Sequence, residues 1–407
     1  MRLVALALAL VACNPPSHEP DPANDAAATE PVPGVVRVLS QQQKLLPPAA
    51  PAAIFGQAIG LGGDRMAIGA PGDSQAGPEG AGAVYVFAKS GVTWNLEQQL
   101  FASDPTAGQR IGKSVDISGN TVIVGGTGFG AGGARDGAVY VFTRTGTTWS
   151  EQQKITVADA TPSARFGQTV RIEGETAVIG TPNDGTKGSV YVFTRSGTVW
   201  SQQQKLTAPD AAAGDRFGYF VEISGNSVII GARNATSNRG AAYVFVRSGV
   251  TWLLQQKLTA SDAADGDQFG RAVDINGNTA VVGAWVKNSG RGAAYVFTRN
   301  GVTWTQQQKL TASDGATGDE YGSAVSLVGE TAVIGSKKDD DNGNDSGALY
   351  VYKRTGVTWI EDQKVKPTDE IQTDDRFAQA IAFNGVTLVG GAYVDDEIAA
   401  DAGAAYI

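Results

Sequence analysis

Residues 269–285 read FGRAVDINGNTAVVGAW, and residues 292–310 read GAAYVFTRNGVTWTQQQKL. The first apolar run, Phe269–Ile275, is followed by Asn276-Gly277-Asn278 and then by a second β-rich run, Thr279–Trp285. Asn-Gly between two such runs is the strongest short hairpin signal, because both turn residues tolerate positive φ. Beyond a variable loop, Gly292–Arg299 and Thr303–Leu310 flank another Asn-Gly turn at Asn300-Gly301. The stretch predicts four strands in an antiparallel meander, with no helical period anywhere.

The pattern recurs. Blocks open at Phe55-Gly56, Ile111-Gly112, Phe166-Gly167, Phe217-Gly218, Phe269-Gly270, Tyr321-Gly322 and Phe377-Ala378, spaced 56, 55, 51, 52, 52 and 56 residues apart. Four strands per copy at a fixed period near 50 is the arithmetic of a β-propeller. The last block ends within its third strand, at Ala404–Ile407, whereas Leu39-Ser40-Gln41-Gln42-Gln43-Lys44-Leu45 matches the fourth strand Trp200–Leu206 yet precedes every block. The chain is therefore expected to be all-β: a seven-bladed β-propeller of four-stranded antiparallel blades over residues 35–407, its ring closed by the N-terminal strand. Closure would hide the sheet edges; an open solenoid with a truncated last repeat is the alternative. The third-strand Tyr and Phe and the fourth-strand Trp94, Trp149, Trp200, Trp252, Trp304 and Trp359 read as core between sheets. The Gln-Gln-Lys runs read as the outer solvent face, with Lys discouraging edge pairing.

Composition removes several chemistries. Among 407 residues there are 53 glycines, one cysteine and one histidine. A single cysteine excludes an intramolecular disulfide and a thiolate zinc cluster. The histidine, His18, falls in a segment expected to be an unstructured tether, so histidine-based triads and metal sites are excluded from the folded part. With 32 basic against 41 acidic residues, net charge −9 and no basic run, nucleic acid is not an expected partner. Residues 1–13, MRLVALALALVAC, have the shape of a secretory signal, and Leu3–Ala12 is too short to span a bilayer. Leu10-Val11-Ala12-Cys13 resembles the lipobox of bacterial lipoproteins, which implies lipidation of Cys13; an ordinary signal peptide with a chance cysteine is the other reading. Residues 14–34, rich in Pro, Ala and acidic side chains, read as the tether. The expected product is a monomer anchored by lipid in the cell envelope, at the outer membrane or cell surface, touching the membrane through its anchor only.

The opening Phe-Gly, Gly69-Ala70-Pro71 after the second strand and Gly82-Ala83-Val84-Tyr85-Val86-Phe87 in the third resemble FG-GAP repeats, the blades of the integrin α-subunit propeller. The resemblance covers residues 35–407 and implies recognition or adhesion without catalysis or a required cofactor. Integrin-type blades often carry a calcium loop between strands one and two. Here those positions hold short turns such as Ser118-Gly119-Asn120 and Glu173-Gly174-Glu175, without enough carboxylates. A different stretch, Asp339, Asp341, Gly343 and Asp345 in the sixth block, alternates oxygens around a glycine; calcium and a solvated acidic loop are both open there. Asp395, Asp396, Glu397 and Asp401 form a second such cluster. Asp210, Asp215, Asp262, Asp267, Asp314 and Asp319 recur between blocks and are expected to accept backbone N–H groups in turns.

The loops joining strands two to three and four to one are long and variable, and they emerge on one face. The residue after the second strand is Pro71, Thr127, Pro182, Arg233, Trp285, Lys337 and Tyr393 in turn. The residue after the opening Phe-Gly is Gln57, Lys113, Gln168, Tyr219, Arg271, Ser323 and Gln379. Aromatic and cationic side chains gather in blocks four to seven. Tyr219, Arg233, Arg271, Trp285, Lys337 and Tyr393 are thus the expected ligand-binding face for a protein or polysaccharide. The opposing reading is unselected surface variation, with Trp285 tucked against its neighbour. Two rival functions remain: a carboxylate-dependent glycan hydrolase, which needs a close inward pair of carboxylates at the channel mouth, and a purely structural envelope protein.

Overall fold

In the fifth block the four runs form strands Phe269–Asn276, Thr279–Ala284, Ala293–Asn300 and Thr303–Leu310, paired antiparallel in sequence order. Both turns use the left-handed backbone that glycine adopts freely, with φ of 58° at Gly277 and 60° at Gly301. The computed structural model describes residues 39–48, 52–75, 77–128, 136–368 and 373–407. Within them the meander repeats as seven four-stranded antiparallel sheets, an all-β, seven-bladed propeller. The signal peptide, Cys13, His18 and the tether lie outside the described residues.

The seventh sheet combines Phe377–Phe383, Leu388–Ala392 and Ala404–Tyr406 with Lys44–Leu45 as its outermost strand. Lys44 pairs with Tyr406 and Leu45 with Ala405.

Hydrophobic cores lie between neighbouring sheets, because every second strand is covered on both faces; all six residues of Thr279–Ala284 are buried. One such core joins Ile229, Val244 and Leu258 of blade four to Val282, Tyr295, Phe297 and Trp304 of blade five. Phe269 packs edge-on against Tyr295 and Phe297, with ring centroids 5.6 and 6.0 Å away. The glycine after it is required: Gly270 has φ of +85°, and a Cβ there would lie 2.3 Å from the Ala241 carbonyl oxygen. This close approach of blade four to blade five explains the repeated Phe-Gly.

The Gln-Gln-Lys runs do not form a plain solvent face. Gln256 donates from Nε2 to the Trp304 carbonyl and accepts from the Trp304 N–H, both at 2.8 Å. The same two-way bond joins Gln43 to Trp94, Gln98 to Trp149, Gln153 to Trp200, Gln204 to Trp252 and Gln308 to Trp359. Gln363 makes it with Leu39, so all seven blade junctions carry one latch. In blade five the preceding glutamine, Gln255, accepts the Trp304 indole N–H at 2.8 Å, and Lys309 and the Tyr295 hydroxyl meet on Asp262, each at 2.7 Å. The lysine thus serves a Tyr–Asp–Lys cluster instead of guarding an edge. The recurring aspartates divide accordingly. Asp215, Asp267 and Asp319 accept turn N–H groups from Ala212, Ala264 and Ala316, as expected, while Asp210, Asp262 and Asp314 bind tyrosine and lysine.

Candidate functional site at the two ends of the channel

The innermost strands begin with a register shift, between Phe269 and Ala272 in blade five and at the same place in blades two, six and seven. The shift frees the residue after Phe-Gly from the ladder. In all seven blades the residue after the opening pair, Gln57, Lys113, Gln168, Tyr219, Arg271, Ser323 and Gln379, lines one central cavity of ≈ 150 Å³.

Tyr219 and Arg271 line this cavity, and Arg233, Trp285 and Lys337 join them in a continuous stack of rings and cations. The Arg233 guanidinium lies 4.0 Å from the centroid of the Tyr219 ring. Arg271 lies 5.7 Å from Tyr219, 4.6 Å from Phe220 and 4.9 Å from Trp285. Lys337 lies 4.6 Å from the centroid of the Trp285 ring and pairs with Glu320 at 3.0 Å. The half-buried Trp285 donates its indole N–H to Gln268 at 3.0 Å. Tyr393 makes no ring contact with the stack; it accepts from Arg376 at 3.0 Å and acts on Arg271 only through space. The rings are therefore faced by cations and offer no bare platform for a sugar or a base. What the stack presents is N–H donors. A desolvated cation–π contact contributes about 2 kcal/mol, whereas two like charges 4 Å apart repel by about 4 kcal/mol at an effective dielectric of 20. The rings hold the guanidinium groups in place without neutralising them.

Further cations adjoin the stack. Lys113 and Tyr219 also line a neighbouring cavity of ≈ 210 Å³ with Arg110, Arg165 and the backbone of Gly108 and Gly128. Burial is the largest influence on the Tyr219 hydroxyl and pushes its pKa up, yet Arg271, Arg233, Lys113 and Arg216 together bring it below the usual tyrosine value. Burial, followed by Arg271, Arg110 and Arg165, lowers the Lys113 ammonium despite an opposing contribution from Tyr219. The signal for these extra cations stands in the repeats: the residue before the opening motif is Arg110, Arg165, Arg216 and Arg376 in four copies. Their φ values are 58°, 60°, 57° and 52°, a left-handed region that favours glycine or asparagine, so the backbone does not select arginine there.

The opposite end of the channel has the reverse sign. A cavity of ≈ 250 Å³ is lined by Asp116, Arg171, Glu222, Asp274 and Ser326, the same inner-strand position in blades two to six. Glu222 pairs with Arg171 at 2.5 Å. Asp116 accepts the Ile172 N–H at 2.8 Å and Asp274 the Leu327 N–H at 2.7 Å, so each stitches its blade to the next. Burial pushes the Asp116 carboxyl up to about 6. Burial and then the charge of Glu222 push Asp274 well above the carboxylate range. Asp116-Ile117, Arg171-Ile172, Glu222-Ile223 and Asp274-Ile275 already show this ring in sequence, as a charged residue inside an apolar strand.

At the sixth-blade acidic loop, Asp339 accepts the Tyr350 hydroxyl at 2.7 Å and Lys364 at 2.8 Å; Asp341 takes the same lysine at 2.6 Å. Asp345 lies 3.8 Å from Lys338, and Gly343 forms the turn with φ of 133°. An ammonium group stands where these carboxylates meet, and as placed they do not fit a calcium ion. Asp395 is likewise taken by Tyr406 and Lys44, both at 2.9 Å. Among the described residues no group of three or more His, Cys, Asp or Glu side chains is arranged to hold a metal.

The model of the FG-GAP repeat matches residues 39–87, 94–142, 149–193, 200–245, 252–297, 304–352 and 359–407. Each matched unit starts at the outermost strand position of one sheet and runs through the third strand of the next, so repeat and blade are offset by one strand. A comparison with curated proteins found no match.

Proposed function

Because the chain belongs to the FG-GAP repeat family, whose propellers are typically non-catalytic recognition scaffolds, we propose that its loop face binds a protein or polysaccharide partner from a lipid-anchored position in the cell envelope. The observation that carries this reading is the convergence of Tyr219, Arg233, Arg271, Trp285 and Lys337 on one end of the channel. Trp, Tyr and Arg are the side chains that dominate binding hot spots. Cross-linking on intact cells followed by capture is expected to recover a partner with the natural chain and to lose it with Arg233→Ala/Trp285→Ala. Equal recovery of the same partner would sink the assignment to this face, and recovery of none would favour a purely structural role.

The address rests on Leu10-Val11-Ala12-Cys13. Cys13→Ser is expected to move the protein from the detergent phase to the aqueous phase after phase separation; no change would remove the anchor. A hydrolase reading draws on Asp116, Glu222 and Asp274 at the far end of the channel. Their bonds to Arg171 and to neighbouring blades support a packing role instead. Release of reducing ends from glycans, lost in Glu222→Gln, would revive catalysis.

A further inference from the structure

We propose that the loop-face end of the channel is a binding site for a compact, multiply charged oxyanion of the phosphate class, held by Lys113, Arg271 and Arg233. The proposal rests on the reading of this face as the recognition surface, and it names the chemistry recognised there.

Other cations of the interior and of the channel wall are paired. Lys287, 4% exposed, meets Asp267 at 2.7 Å; Lys337 meets Glu320 at 3.0 Å; Arg171 meets Glu222 at 2.5 Å. Arg271, 6% exposed, forms no ion pair among the described residues: Glu320, already held by Lys337, acts on it only through space, as do Tyr219 and Tyr393, and its Nε and Nη1 groups make no hydrogen bond. The Nε of Arg233 is likewise buried and unbonded. Leaving charged donors buried and unmade is costly, and a bound ion is one of the things that satisfies them. Packing against Tyr219, Phe220 and Trp285 fixes the Arg271 guanidinium without using a donor. Lys113, from the other side of the ring, lines the same ≈ 150 Å³ cavity and forms no ion pair among the described residues.

The site also discriminates among anions. The rings are already faced by cations, so a ligand is recognised by charge and hydrogen bonding, not by a flat stacking surface. A monocarboxylate neutralises one of the converging cations; a phosphoryl group brings nearly two negative charges and three acceptor oxygens that can meet donors from several directions. Free phosphate and a phosphoryl group on a larger molecule share this chemistry.

The test is isothermal titration of the full chain with inorganic phosphate, glucose 1-phosphate and acetate, at an ionic strength held constant with sodium chloride. Saturable phosphate binding is expected, weakened at least tenfold by Arg271→Gln and by Lys113→Gln. It should be unchanged by Arg239→Gln, a loop cation paired with Asp265 at 2.6 Å. If Arg271→Gln does not fold, Lys113→Gln carries the comparison. Tighter binding of glucose 1-phosphate identifies a phosphoryl group on a larger molecule as the natural ligand; tighter binding of phosphate identifies the free ion. Acetate binding as tight as phosphate, binding insensitive to both channel variants, or no saturable binding to the folded chain would each overturn the proposal. No macromolecular partner is present in this titration. Its failure would therefore leave partner capture by the loop face standing, and failed capture would leave the anion site standing.

Discussion

At the scale of single residues, the ring depends on small groups whose position allows no substitute. Gln256 saturates both the N–H and the carbonyl of Trp304 across a blade boundary. Alanine in its place leaves two half-buried backbone groups without partners, a loss of about 1–3 kcal/mol. Gln256→Ala should therefore lower the urea midpoint measurably, whereas Gln306→Ala, two residues beyond Trp304 in the partner strand and bonded to Ser261 at an exposed position, should not. Equal effects would mean that the latch contributes no more than an ordinary surface contact. Gly270 is constrained differently: its φ of +85° strains any other residue, and a Cβ would collide with the Ala241 carbonyl oxygen at 2.3 Å. Gly270→Ala should cost at least about 2 kcal/mol in chemical denaturation, while Gly277→Ala, at a turn where a Cβ meets nothing within 4 Å, should cost distinctly less.

At the scale of elements, strands and turns were legible because their signals are local: an Asn-Gly turn acts on the residues that flank it. The latches were not, because Gln256 and Trp304 are 48 residues apart and meet only once two blades are packed. Their repetition was nevertheless a clue, since a solvent-facing glutamine has no reason to recur opposite every junction. The site followed the same division. Comparing copies found Tyr219, Arg271 and Trp285, but it favoured adjacent blades and so passed over Lys113, which a closed channel brings from blade two towards blade five. The two-residue strand Lys44–Leu45 bears an out-of-proportion share of the architecture, because its flanks supply latches to two neighbours: Gln43 to Trp94 and Leu39 to Gln363. Deleting residues 39–45 leaves Ala404–Tyr406 as an unpaired edge and opens both junctions. The truncated chain should melt lower and associate as concentration rises, and a synthetic peptide of residues 39–45 should restore both properties in trans. A truncation that melts like the full chain would show that the seventh sheet is sufficient with three strands.

At the scale of the whole molecule, one channel joins two ends of opposite sign, and the acidic end sets a pH dependence. The Asp116 carboxyl, pushed by burial up to about 6 against an ordinary value of 3.8, binds its proton more tightly when folded than when unfolded. Its contribution to stability is therefore complete below about pH 4 and is lost as pH rises through 6. Asp274 is displaced in the same direction, by burial and by Glu222, and extends the loss to higher pH; Arg171 opposes both shifts. Carboxylates on the outer strands behave in the opposite sense. Asp262, held down to about 2 by bonds from Lys309 and Tyr295 that outweigh its burial, contributes stability that disappears only in strong acid. A rise from 3.8 to about 6 corresponds to roughly 3 kcal/mol at most. Asp116→Asn removes the titrating group while keeping one acceptor for the Ile172 N–H. Denaturation midpoints measured from pH 4 to 8 should fall less steeply for Asp116→Asn than for the natural chain, the variant gaining relative stability as pH rises. The acid limb below pH 4 should coincide in the two proteins, because the outer-strand clusters that govern it are untouched. Parallel curves over the upper range would mean that water reaches Asp116 freely and that the acidic end of the channel is solvated, not sealed between the blades.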